Sequence, residues 1–205
     1  MELIFHLPLK ATKEDMQSFA QRKSKWIYRQ LSFFEQFHPR TPSRKYVSGE
    51  THLFLGREHK LRLIQSQGWK ISVSRYYISV STPDKENKHA IASRLSYYFR
   101  AEALKIFHSR SKILKLEHSP TLGYWIELAG VSKMKAKWGI YDQASDSYIL
   151  NTDLVRAPIR CIDYVILHEV IHSRHLDHGK QFYTLMDKLM PDWKEWKDRM
   201  EKLLS

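Results

Sequence analysis

Apolar residues recur at helical spacing early in the chain, switch to alternation, and then return to the helical period. Met16, Phe19, Trp26, Leu31, Phe34 and Phe37 fit one helix face, and Thr12-Lys13-Glu14-Asp15 before them supplies an acidic first turn. This predicts a helix to about Phe37, preceded by a short strand over residues 2–7 and closed by a proline-bearing loop at residues 38–43. From Tyr46 to Val80 the period is two. Residues 51–55, 59–63, 69–73 and 76–80 alternate, with breaks at Gly49, Gly56 and Gly68, and predict an antiparallel meander with one solvated face.

After Thr82-Pro83-Asp84 the helical spacing resumes, with Ile91, Leu95, Tyr98, Phe99, Leu104, Ile106 and Phe107 as anchors of a helix to about Leu116. Strands follow at residues 124–128 and 147–150, around a loop at residues 141–146. Pro158 suits the first turn of the next helix. Phe182, Leu185, Met186 and Leu189 imply another, and Pro191-Asp192-Trp193 opens the last. The succession is α+β: an N-terminal antiparallel β-rich module with flanking helices over residues 1–83, then a half with a small sheet over residues 84–205, the two packed as one compact unit.

The helix predicted after Pro158 carries the chemistry. Residues 162–167 and Val170-Ile171 are apolar apart from Asp163, so His168, Glu169 and His172 sit in a helix apolar nearly all round, which is the signature of burial. Buried uncharged histidines and a buried glutamate are costly unless they bind something or are paired. Two histidines four apart share a face and converge on one metal ion, and the spacing His-Glu-x-x-His places Glu169 beside a water activated there. An adjacent carboxylate that takes the proton and passes it to a leaving amine gives peptide-bond hydrolysis.

Two candidates compete for third ligand. On an unbroken helix His175 lies about 4.5 Å farther along the axis than His172, too far for comfort. His178 sits in Leu176-Asp177-His178-Gly179, where Asp and Gly favour a reversal that swings its imidazole back. His178 is the favoured ligand and His175 a neighbour or solvent-facing residue. The register matches the metzincin spacing, but His175 stands where that signature has its turn glycine.

Composition narrows the setting. Hydrophobic residues at 42% and aromatics at 13% exclude a disordered tail. One cysteine, Cys161, rules out an intramolecular disulfide and suits a small buried apolar position. Residues 1–8 lack a basic leader and a long apolar stretch, and no uncharged run is long enough for a bilayer, so a cytoplasmic location with no membrane partner is expected. Lys and Arg number 34 against 22 Asp and Glu, a net +12, with clusters at Arg22, Lys23, Lys25 and Arg29 and from Arg94 to Lys115. Such a surface attracts nucleic acid, anionic membranes or acidic proteins, although no RNP, KH or zinc-finger signature accompanies it.

The segment from Ile162 to His172, followed by Leu176-Asp177-His178-Gly179-Lys180-Gln181-Phe182-Tyr183, resembles the YgjP-like metallopeptidase family, a gluzincin-type group related to SprT-like and WLM domains. Tyr46-Val47-Ser48-Gly49-Glu50, Leu55-Gly56-Arg57, Lys137-Trp138-Gly139, Leu150-Asn151, Ala157-Pro158 and Pro191-Asp192-Trp193 are similar to further parts of that family. The resemblance implies a zincin-like half, a peptide or protein substrate, and one zinc ion per chain on His168, His172 and His178. Where the family usually has Ser-Cys after Trp-Gly, this chain has Ile140-Tyr141. Tyr141 is then either a phenolic donor to the oxyanion or a packed aromatic. Asn151 and Asp163 are candidate partners for the ligand histidines, and Asp163 is otherwise a solvated helix residue. Two alternatives stand beside the peptidase: a basic nucleic-acid-associated module with a structural or idle zinc site, and a protease recruited to DNA-bound proteins as in SprT-like and WLM relatives.

Overall fold

The computed structural model describes residues 12–35 and 44–204; the strand predicted at residues 2–7 and the loop at 38–43 lie outside them. The chain divides into two compact units, Met1–Pro42 and Ser43–Leu204. In the first, α1 (Lys13–Glu35) begins at a reciprocal cap: the Asp15 carboxylate accepts from the Thr12 N–H and hydroxyl at 2.9 Å each, and the Asp15 N–H returns to Thr12 Oγ1 at 3.2 Å.

The second unit opens with β1 (Thr51–Phe54), β2 (Arg57–Gln65), β3 (Lys70–Val73) and β4 (Tyr77–Thr82), each alternating between the core and solvent. The four predicted strands form, but they are not a meander. The order is β1-β2-β4-β3, with β4 parallel to β2 on one side and antiparallel to β3 on the other. Burial explains the swap. Ile78, Val80 and Thr82 of β4 are fully buried, whereas Ile71 and Val73 of β3 are only partly so, and the strand with more surface to hide takes the central place.

Two residues tie this sheet to the rest of the unit. Leu55 and Gly56 form the β1–β2 turn with φ of 49° and 76°, and their N–H groups donate to Val155 and Arg156 carbonyls at 2.9 Å. A Cβ on Gly56 would stand 2.6 Å from Pro158 Cγ, so only glycine permits this approach.

Helix α2 (Lys88–Leu122) starts where Asn87 accepts from the Ala90 N–H at 3.0 Å and is capped by Gly123 in the left-handed region, so its last residue, Leu122, lies six residues beyond the predicted end at Leu116. Its buried positions from Ile91 to Leu114 recur every three or four residues and face β5, a 3₁₀ turn and α3. Arg110 on this face meets Asp163 of α3 with two hydrogen bonds, at 2.8 and 2.9 Å.

The second sheet comprises β5 (Glu127–Ser132), β6 (Gly139–Asp142) and β7 (Ser147–Asn151), in the order β5-β7-β6. The loop predicted at residues 141–146 is shorter than expected, because Tyr141 and Asp142 pair with Tyr148 and Ser147 as part of β6. The Asp142 carboxylate then closes the turn on the Ala144 N–H and Ser145 hydroxyl. The 3₁₀ turn (Thr152–Arg156) leads into α3 (Ile159–His172), followed by α4 (Lys180–Leu189) and α5 (Trp193–Leu204). Pro158 caps α3 from just outside its first turn, its carbonyl accepting from Cys161 and Ile162. Among the described residues, two small sheets and five helices thus make a mixed α+β fold. No helix among the described residues is long and apolar enough to cross a membrane.

Candidate metal centre

Helix α3 is the most apolar helix of the chain, and ten of its residues are buried, from Cys161 to Ile171. Each fully buried aliphatic there contributes about 1.5–3 kcal/mol, which fixes the helix as the floor of the site. Two polar side chains emerge at its C-terminal end, His168 and His172, one turn apart on one face. The helix ends after His172, and the turn through Asp177 brings His178 back across that face. His178 Nε2 lies 3.1 Å from His168 Nε2, and His172 Nε2 lies 3.1 Å from the same atom.

One donor atom from each of the three histidines falls within 4.8 Å of the others. Two nitrogens bound to one tetrahedral zinc at ordinary Zn–N distances stand about 3.3 Å apart, so the observed separations match a shared ion. The ring chemistry agrees. Burial first, then the neighbouring histidines and Lys197, press His168 down to about 3, and burial lowers His172, leaving neutral rings with lone pairs to donate. His172 Nδ1 is 3.0 Å from the His175 carbonyl. A carbonyl only accepts, so Nδ1 carries the proton and Nε2 is left free toward the centre. His175 therefore enters the site through its backbone, not its imidazole.

Phe182, the third residue of α4, lies beneath all three rings with centroids at 4.9, 4.9 and 4.8 Å from His168, His172 and His178. It is buried and sets the distance between the rings. Tyr164, Trp193 and Tyr183 stack in series behind it, holding α4 and α5 to α3.

Glu169 points into the other side of the same end of α3. It is 5% exposed, and burial raises its carboxyl to about 7 against the opposing pull of the Tyr141 backbone N–H and the Lys137 charge. Gly139 of β6 makes this placement possible: a Cβ there would meet Glu169 Oε1 at 2.6 Å and Cδ at 2.8 Å. Asn151 holds the β6 approach from below, its amide donating to the Met134 and Lys137 carbonyls at 3.0 and 2.8 Å while its oxygen accepts from the Asp153 N–H. Asn151 is thus a support of the strand beside Glu169 and touches none of the histidines through these bonds. The Tyr141 hydroxyl donates to Asp146 at 2.8 Å, and what reaches Glu169 is its amide. Asp163 is neither solvated nor beside the histidines; it is 1% exposed and paired with Arg110.

These groups border a cleft of about 450 Å³. Residues 138–141 form one wall, α3 the floor, and Lys197, Met200 and Glu201 of α5 the opposite wall. Sequence reading missed this second wall and the contribution of Gly139 and Phe182. The Trp-Gly step and the position of Phe182 four residues after His178 were the available signals.

The residues therefore fit a single metal ion with three histidine nitrogens as ligands, a fourth direction facing a cleft, and a carboxyl group at hand. Comparison with curated proteins returns no match. A scan against protein-family models matches the family described as YgjP-like, metallopeptidase domain, over residues 2–203. With nearly the whole chain inside that match, the protein belongs to the YgjP-like metallopeptidase domain family.

Proposed function

We propose that the protein is a zinc-dependent endopeptidase in which His168, His172 and His178 hold one zinc ion per chain and Glu169 is the general base. The observation that carries this reading is the convergence of three histidine nitrogens beside a buried glutamate in an open cleft. Zinc held there supplies Lewis acidity toward a water molecule and a substrate carbonyl. Glu169 takes the proton of the attacking water and delivers it to the leaving amine, a role worth about 10²–10⁴-fold in rate. The Tyr141 N–H and the close face of Gly139 hold the carboxylate in one place for both transfers. Strand β6 is an edge strand of its sheet and lines the cleft, so an extended peptide is held by adding to that edge.

A structural zinc site closes all four positions with protein ligands, whereas this cluster offers three. That favours catalysis over an idle site. Elemental analysis of the purified protein tests the ligands: one zinc per chain is expected, falling away in His172→Ala, and unchanged stoichiometry in that variant rejects the site. Cleavage of a peptide library tests the base. Glu169→Gln is expected to keep its zinc and lose cleavage, and wild-type cleavage by the zinc-loaded variant refutes the assignment.

A further inference from the structure

We propose that the solvent face of the β1–β4 sheet binds single-stranded nucleic acid, independently of the metal centre. Sequence clusters of positive charge point to helices α1 and α2, but the sheet is where cations, aromatic rings and hydroxyls are brought together. Alternation along β2 buries His59 and Leu61 and turns Lys60 and Arg62 outward; along β4 it buries Ile78 and Val80 and turns Tyr77 outward. Register places Lys60 opposite Tyr77, and the Arg62 guanidinium lies 5.9 Å from the centre of the Tyr77 ring. Lys70 of β3 stands opposite Ser81, on the same face. At the β3–β4 turn Arg75 lies 5.2 Å from the ring centre of Tyr76, which is 61% exposed.

The face is otherwise lined by small hydroxyls, Thr51, Ser72, Ser79 and Ser81, and Glu58 is the one acid among its described strand positions. This composition selects the partner. Cations spaced along two strands neutralise phosphates, and exposed phenols beside them offer stacking platforms to bases that are not already paired. A duplex hides its base faces from such rings. A membrane surface calls for protruding aliphatic or tryptophan side chains, and of the aliphatics here only Ile64 is exposed, at 38%. The Leu55–Gly56 turn anchors the sheet by its β1–β2 end, and Lys60, Arg62, Lys70 and Tyr77 leave the opposite, solvent face exposed.

Fluorescence anisotropy with a labelled oligothymidylate and a labelled oligouridylate, each of about twelve nucleotides, tests the site at about 50 mM and about 200 mM salt. Both are expected to bind, and tighter uridylate binding assigns RNA as the preferred strand through its 2′-hydroxyls. Lys60→Glu with Arg62→Glu is expected to weaken binding by about tenfold or more and to shallow the log–log salt slope by about 1.4, two contacts at about 0.7 each. Tyr77→Ala is expected to weaken binding with the slope unchanged, which separates stacking from charge. The control is Arg100→Glu with Lys112→Glu on the exposed surface of α2, the same change in charge, expected to leave affinity within about twofold. Zinc content is expected to be the same in every variant, so failure of this site leaves the metal-centre reading untouched. Equal weakening by the two double variants, no binding at the lower salt, or binding to phosphatidylserine vesicles in place of the oligonucleotides overturns the proposal.

Discussion

Gly139 is what leaves room for Glu169. Its missing side chain lets the carboxylate lie against β6, and the Tyr141 N–H then fixes it from the same strand. Gly139→Ala places a methyl 2.6 Å from Oε1, and the carboxylate must move by a distance that typically costs about 10²-fold in rate. If Glu169 is the base as proposed, the expected result is a fall of about that size in kcat for peptide cleavage with zinc content unchanged; loss of zinc alongside activity would mean that the strand, rather than Glu169 alone, has been disturbed. Phe182→Ala acts on the ligands instead. Removing the ring under three histidines costs about 3–5 kcal/mol of stability by the cavity it leaves, and a raised zinc dissociation constant measured in competition with a chelator is the accompanying effect. At this scale the clustering of His168, His172 and His178 was legible, because HExxH and a histidine in a turn each carry a spacing. The Gly139 contact was not, because a close approach across thirty residues leaves only a glycine in the sequence, and glycines have many reasons.

Among the elements, α2 and α3 are joined by a buried charge pair whose strength can be measured. Asp163 is almost wholly buried and Arg110 is partly exposed. Burial raises the Asp163 carboxyl above its usual 3.8, opposed by hydrogen bonds and charge from Arg110. Arg110→Met removes the opposition and leaves a buried carboxylate uncompensated, a loss of about 3–5 kcal/mol in denaturant unfolding near neutral pH. The sign with pH follows from proton binding: with its folded-state value raised further above the unfolded one, Asp163 binds a proton more tightly in the folded variant. The penalty is then smallest below the unfolded value of 3.8 and grows as pH rises to the folded-state value. A deficit that is constant across that range would place the loss in packing. Helices of this kind were readable from their apolar spacing, and so were six of the seven strands. Pairing was not. Each β2 and β3 segment looks like a hairpin arm from its neighbours alone, and only the burial of Ile78, Val80 and Thr82 decides that β4 lies between them.

For the whole molecule, the proposed metal centre would double as a clasp. His168 and His172 come from α3, His178 from the turn before α4, and Phe182 from α4 itself, while α5 is stacked behind them through Trp193. An ion bound to all three histidines therefore links segments that the hydrophobic core alone would hold less tightly. Binding to the folded chain and not to the unfolded one stabilises by about 4 kcal/mol when zinc is about a thousandfold above its dissociation constant. For a unit of this size that corresponds to a rise of about 8–16 °C in Tm. Thermal unfolding before and after chelation measures it: the holoprotein is expected to lose that margin on chelation and to recover it on adding zinc. His172→Ala is expected to melt near the chelated wild type with or without zinc, whereas Glu169→Gln, which removes no ligand, is expected to keep the full zinc-dependent shift. A shift retained by His172→Ala would mean that the stabilising zinc sits elsewhere, and the three histidines would then lose their claim to it.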